Sequence, residues 1–195
     1  DVETAKNAAG KITINWYFYS MPINNLKKFI PINISILTIS DTRTDATDTS
    51  GQILAKKVRE KGHALLHKEI VKDEKELIKK ILLKWSSDKE VDVILTTGGT
   101  GLTGRDTTPE ALDEIKDKDI PGFGELFRLI SYKKIGTSTI QSRAMAVLCK
   151  GTYIFALPGS SGAVTDAWEN ILKTQLDSRF SPCNFIDLIP RLLEK

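Results

Sequence analysis

The stretch Thr96-Thr97-Gly98-Gly99-Thr100-Gly101, with Asp106 following in "GRDTTPEA", puts hydroxyls, bare backbone and a carboxylate directly after an apolar run. Glycines lack a Cβ, so a ligand can lie against the main chain, and successive N–H groups can point at one anion. Threonine hydroxyls add donors and acceptors. Gly99, Gly101 and Gly104 also spell G-x-G-x-x-G, the pattern of a dinucleotide fingerprint. Context excludes that reading. The fingerprint belongs to the first strand of its unit, opens straight into a helix, and is answered about 20 residues on by an acidic strand end. Here the glycines follow the third strand-like segment, Pro109 sets the helix start several residues later, and "IPGFGE" stands where the acidic strand end should be. No G-x-x-x-x-G-K-[ST] is present, so a P-loop is excluded as well. The chemistry indicated is anion binding at the end of a strand.

Further candidates lie in other loops, each with a structural alternative. Asp106 can cap a helix. Thr107 or Thr108 can also do so, and Thr107 with Glu110 fits a capping box, which leaves Asp106 to face the site. Asp73, in "IVKDEKE", reads equally as a site carboxylate or as the partner of Glu76 in a capping pair. Asp48 and Ser50 lie in "DTSG"; Thr49 with Gln52 can cap the next helix, and a hydroxyl-rich helix start can hold phosphate. Pro158-Gly159-Ser160-Ser161-Gly162 opens the last helix, where N–H groups and the helix dipole favour phosphate; an ordinary capped start is the alternative. Arg143, next to Ser142, offers a charged fork or is a surface arginine, and Arg105 can pair with Asp106. His63 and His67 are spaced i, i+4 in a strand-like segment without H-E-x-x-H, so a metal pair is not expected. Trp85 and Trp168 lie on apolar helix faces and read as core.

These residues need a frame, and strand and helix signals alternate along the chain. Strands are expected at Ile32–Ser40, His63–Val71, Val91–Thr97 and Gly151–Gly159. Amphipathic helices are expected in "QILAKKVREKG", "DEKELIKKILLKWSS", "TPEALDEIKDK", "PGFGELFRLISYKKIG" and "SSGAVTDAWENILKTQLD", and "TSTIQSRAMAVLCK" also reads as helical. Alternation with near-continuous apolar strands predicts an α/β domain with a mostly parallel sheet and helices on both faces. Such sheets bind ligands beyond the carboxyl ends of their strands. The loops starting at Ser40, Val71, Thr97 and Leu157 should therefore converge.

Composition narrows the classes. The 195 residues carry 28 basic and 25 acidic side chains, a net charge of +3. That balance does not suit a nucleic-acid binder. Cys149 and Cys183 are far apart and form no C-x-x-C, so neither a disulfide framework nor a zinc site is expected. No apolar run approaches the roughly 20 residues of a membrane span. Residues 1–20, with Trp16-Tyr17-Phe18-Tyr19, carry no secretory signal and read as a non-native or disordered extension ahead of Met21. A cytoplasmic protein with one domain over residues 21–195 is expected.

The motifs "TTGGTGLTGRDTTPEA", "IPGFGELFR", "IGTSTIQSRA" and "LPGSSGAVTDAWENI" together resemble the molybdenum cofactor biosynthesis MoaB/Mog family, from Ile32 to Leu188. "LDSRFSPCNF" and the short length resemble the MoaB branch more than Mog. The resemblance implies a three-layer α/β/α molybdopterin-binding domain, assembled as a homotrimer or homohexamer. It implies molybdopterin as substrate, with ATP and Mg²⁺ used to form adenylyl-molybdopterin and pyrophosphate; a molybdopterin-binding carrier without this chemistry is the alternative. Catalytic and metal-binding roles fall on Asp106 and Asp73. Substrate-binding roles fall on Asp48, Ser50, Thr97, Gly98, Gly99, Thr100, Gly101, Ser142, Arg143, Pro158, Gly159, Ser160 and Ser161, with Ser142 and Arg143 on the pterin-side phosphate. Partners implied are further copies of the chain, the pterin and nucleotide, and other molybdenum cofactor biosynthesis proteins, with neither nucleic acid nor membrane.

Overall fold

Apolar residues on both faces of a strand demand cover on both sides, and the chain supplies it. The computed structural model describes residues 23–194, so the expectation for residues 1–20 lies outside the described residues. Strands β1 (Asn33–Ile39), β2 (Ala64–Val71), β3 (Val93–Thr97), β4 (Lys118–Asp119), β5 (Met145–Cys149) and β6 (Thr152–Leu157) form one six-stranded sheet in the order β2-β1-β3-β6-β5-β4. β2, β1, β3 and β6 run parallel; β5 and β4 add an antiparallel edge.

The helices are α1 (Thr49–Lys61), α2 (Lys75–Ser86), α3 (Thr108–Ile115), α4 (Pro121–Ile135) and α5 (Ser161–Ala167). α5 continues through a π-helical turn, Trp168–Leu172, into α6 (Lys173–Gln175). Alternate strand residues sort onto two layers. Ile34, Ile36, Val93, Leu95 and Phe155 pack with α1, α4 and the α5–π-turn segment through Leu54, Phe127, Val164 and Trp168. Leu37, Ile39, Ile94, Ile154 and Ala156 pack with α2 and α3 through Ile78, Leu82, Trp85 and Leu112. Each fully buried large apolar side chain contributes about 1.5–3 kcal/mol. The three-layer α/β/α expectation is met, and both tryptophans are core, Trp85 at 1% and Trp168 at 2% exposure.

One segment differs. "TSTIQSRAMAVLCK" is not a helix: Gly136–Gln141 form a 3₁₀ turn and Met145–Cys149 are β5. Lys150 (φ 52°) and Gly151 (φ 85°) form a two-residue turn joining β5 to β6, with Cys149 opposite Thr152. Positive φ at both turn residues matches the right-handed twist of a hairpin. The apolar run Met145–Cys149, read together with "TYIFAL" across Lys-Gly, carried that signal. The helix expected in "TPEALDEIKDK" likewise ends at Ile115, and Lys118 and Asp119 pair with β5.

Candidate functional site

The four parallel strands deliver their carboxyl ends to one pole, and the loops beyond them meet there. Gly98 (φ +109°) turns the chain off β3 so tightly that its amide bonds Leu157 O at 3.0 Å, and a Cβ there would collide with Ile39 O. Only glycine accommodates this conformation and this approach. Thr97 Oγ1 donates to Pro158 O at 3.2 Å. β1, β3 and β6 are thus stitched together at the foot of the glycine loop. The predicted convergence is met.

The same loop seats two carboxylates. A Cβ on Gly99 would lie 2.7 Å from Asp73 Oδ2, and one on Gly101 would lie 2.7 Å from Asp106 Oδ2. The two glycines therefore give room to aspartates beside the backbone expected to receive a ligand. Asp73 Oδ1 accepts from Thr107 N (3.1 Å) and Thr107 Oγ1 (2.9 Å). Asp106 Oδ2 accepts from Thr103 N (2.9 Å) and Thr103 Oγ1 (2.6 Å). Each carboxylate thus commits one oxygen to a threonine. Desolvation raises the pKa of Asp73, with Asp106 and Asp41 adding like charge. Asp106 is partly desolvated, but bonds from Thr103 and Gly101 and the nearby Arg143 charge hold its pKa below the ordinary value.

Neither proposed capping arrangement forms. Thr107 occupies the N-cap of α3 without a side-chain cap bond, because its hydroxyl is turned to Asp73. The N-cap of α2 is Glu74, so the Asp73–Glu76 pair does not cap it. Both findings leave Asp73 and Asp106 at the site.

The "DTSG" loop behaves differently. Asp48 is fully buried and is itself the N-cap of α1, accepting from Gly51 N at 2.9 Å, in place of the expected Thr49 with Gln52. It also accepts from Thr38 Oγ1 at 2.9 Å and pairs with Lys68 at 2.8 Å. Burial alone would raise its pKa, but Lys68, Gly51 and Thr38 outweigh it and hold the carboxyl below its ordinary value. Ser50 Oγ accepts from Arg43. Asp48 and Ser50 support the loop from behind.

Three arginines shape the pole. Arg43 ties Ser50 to Gly159 O (2.8 Å) and was not singled out from the sequence. Arg143 is engaged by the protein where a phosphate was expected: Nε bonds Gly101 O (2.7 Å), Nη2 bonds Asp106 O (2.7 Å), and Nη1 pairs with Glu110. It braces the glycine loop. Ser142, beside it, has its Oγ toward Ala144 N at 3.4 Å. Arg105 pairs with Asp41 on the β1–α1 loop, not with Asp106. Asp41 carried no signal in the sequence, since only the fold brings it to this loop.

The remaining expected contacts divide. Ser160 caps α5 by accepting from Ala163 N (3.2 Å), and Ser161 Oγ bonds Thr49 Oγ1 (3.2 Å). The start of α5 is therefore an ordinary capped one at that amide. The amide of Gly98 is committed to Leu157. Those of Gly99 and Thr100 donate to no acceptor among the described residues. Beside the site a cavity of about 600 Å³ opens between Asp41, Arg43, Asp45, Lys68 and Lys72. No group of three or more His, Cys, Asp or Glu able to hold a metal occurs among the described residues. His63 instead accepts from Ile32 N at 3.3 Å, and burial pushes its pKa down to about 4. Cys149 and Cys183 are both free, and no described helix is long and apolar enough to cross a membrane.

With this geometry in hand, the comparisons are specific. Residues 35–178 match the molybdenum cofactor biosynthesis family described as "Probable molybdopterin binding domain". Molybdenum cofactor biosynthesis protein B of Escherichia coli (strain K12) is 49% identical over 158 residues, covering 81% of this chain and 93% of that protein. A crystal structure of molybdenum cofactor biosynthesis protein B superposes with a TM-score of 0.77 at 41% identity, covering 87% of this chain and all (100%) of the other. The tungsten cofactor synthesizing protein MoaB from Pyrococcus furiosus superposes with a TM-score of 0.66 at 32% identity, covering 73% and 91%.

Proposed function

This chain belongs to the molybdenum cofactor biosynthesis family, and from that premise we propose that it binds molybdopterin at the glycine loop and adenylylates it with ATP and Mg²⁺, yielding adenylyl-molybdopterin and pyrophosphate. The observation that carries this reading is the seating of Asp73 and Asp106 against Gly99 and Gly101, each with one oxygen on a threonine and one turned elsewhere. Two carboxylates that share the rest of a cation's shell with phosphate oxygens suit Mg²⁺, which seldom takes an all-protein cage. Bound there, Mg²⁺ would supply charge neutralisation at the triphosphate.

In the proposed reaction a terminal phosphate oxygen of molybdopterin forms a bond to the α-phosphorus of ATP. The bond from that phosphorus to the oxygen bridging the α- and β-phosphates breaks, and pyrophosphate departs with that electron pair. The protein's part is positioning and electrostatics, as is usual for phosphoryl and nucleotidyl transfer. The amides of Gly99 and Thr100 donate to phosphate oxygens. Arg143 fixes the loop that presents them, through Gly101 O and the main chain of Asp106. Arg43 fixes the opposing loop through Gly159 O.

Purified protein incubated with molybdopterin, ATP and Mg²⁺ should release pyrophosphate. Molybdopterin binding without pyrophosphate release would sink the enzyme reading and leave the carrier. Self-assembly belongs to the same proposal. Leu126, Leu129, Tyr132 and Ile135 on α4 and Ile140 (82% exposed) after it are exposed large apolar side chains. Exposed apolar side chains gathered on one segment suit a further copy of the chain. Sedimentation velocity should give a trimer or hexamer, and Leu129→Glu with Ile135→Glu should shift it to monomer; no shift removes this face from the assembly.

A further inference from the structure

Of the three arginines at the pole, two are tied to the main chain as well as to a carboxylate, Arg43 to Asp48 at 3.7 Å and Arg143 to Glu110. Arg43 and Arg143 each bond main-chain carbonyls within the site, and each side chain is 28% exposed. Arg105 differs in having no main-chain acceptor among the described residues. It stands on the glycine loop, its side chain is 61% exposed, and its side chain bonds only the carboxylate of Asp41, on another loop, among the described residues. Nε reaches Asp41 Oδ2 at 3.1 Å, and Nη2 reaches both oxygens at 2.7 Å. Nη1 makes no bond among the described residues, so part of the guanidinium faces outward.

The pair spans the mouth between two loops that also carry the site. Asp41 Oδ1 accepts from Asp73 N at 3.2 Å, so the strap is anchored beside a candidate catalytic carboxylate. The charges around it are Asp73 and Glu74, which favour the cation, and Lys72, which faces Asp41. A carboxylate held in a guanidinium fork presents the same charge and bidentate geometry as a phosphate. An exposed pair of this kind is also weak enough to open readily.

We propose that Arg105 is an exchangeable anion ligand: its guanidinium trades Asp41 for a phosphate of a polyphosphate ligand, and the Asp41–Arg105 pair is the latch that this exchange opens. Asp41 is then an internal competitor that sets how tightly a polyphosphate must bind to take the arginine. The proposal rests on the reading that phosphate enters beside the glycine loop, and it adds two residues to that site.

Calorimetric titration with sodium pyrophosphate and with ATP, without metal, tests it on the full chain. Arg105→Gln should weaken binding about tenfold, the scale of a lost charge-assisted hydrogen bond. Asp41→Asn should tighten binding about two- to fivefold, the range set by the small strength of an exposed pair. The double variant should match Arg105→Gln, because without the arginine there is nothing for Asp41 to compete for. Should Arg105→Gln fail to fold, the ¹⁵Nε resonance of Arg105 gives an independent answer: it should move on adding pyrophosphate, and its ligand-free position should differ in Asp41→Asn. Titrations in which Asp41→Asn matches the parent, or a resonance unmoved by pyrophosphate, overturn the latch. Pyrophosphate release from molybdopterin and ATP by the parent chain is scored separately. Release with a failed latch leaves the enzyme reading standing; no release with the expected titrations leaves the latch standing alone.

Discussion

The "DTSG" loop and the glycine loop look alike in sequence: each sets an aspartate among hydroxyls and glycine just past a parallel strand. Their structures part company. Asp48 is fully enclosed, capped by an amide, a hydroxyl and a lysine, and its pKa is lowered. The glycine loop's own Asp106 is only partly buried, and Asp73, which packs beneath that loop from the segment after β2, has among the described residues only Thr107 donating to it, and its pKa is raised. A saturated carboxylate holds a structure together. An unsaturated one, its pKa raised by burial and like charge, is a candidate for chemistry. The difference lies in how many donors the fold brings to each carboxylate.

The sharpest test removes Asp48. Asp48→Ala should lower stability by about 3 kcal/mol, because it leaves the buried Gly51 amide and Thr38 hydroxyl without their acceptor. Urea unfolding measures this directly. A loss confined to turnover would move Asp48 to the ligand side and erase the contrast.

Asp106 should respond in the opposite way. Asp106→Ala should cut pyrophosphate release at least about 100-fold, on the scale of removing one transition-state contact. Folding stability should change by no more than about 1 kcal/mol, since the side chain is only partly buried, and molybdopterin binding should persist. Unchanged turnover would take Asp106 out of the mechanism.

The smallest effect is a pair of opposed pH slopes. Asp48 has a depressed folded pKa, so its stabilisation is present above its ordinary value of 3.8 and is lost as pH falls below it. Asp73 has a raised folded pKa, so its contribution is present below 3.8 and is lost as pH rises through the elevated value. Urea midpoints from about pH 2 to about pH 6 should show Asp48→Asn flattening the acid limb and Asp73→Asn flattening the limb above it. Slopes of the same sign for both would end the distinction.

Much of this was legible before the fold. Strand–helix alternation, apolar strands and a glycine turn after "VDVILTT" place an anion-friendly loop at a carboxyl strand end, because side-chain period and glycine chemistry are local properties. β5 was missed because its apolar run also suits a helix, and only the Lys150-Gly151 turn distinguishes them. For Arg143 the sequence leaves both a phosphate ligand and a surface arginine open, because a guanidinium's partners are invisible until distant segments meet. Gly101 O and the main chain of Asp106 lie 42 and 37 positions away from it.

By itself the sequence determined the α/β class, the mostly parallel sheet and the loops that gather at its carboxyl edge, since these follow from periodicity and from what glycine, proline and threonine permit locally. Tertiary structure alone decided which aspartate is saturated, that Gly99 and Gly101 make room for Asp73 and Asp106, and that Arg105 faces Asp41 across 64 positions of chain. The physical reason is that burial and hydrogen-bond saturation depend on neighbours brought together by long-range packing, and no local pattern records them.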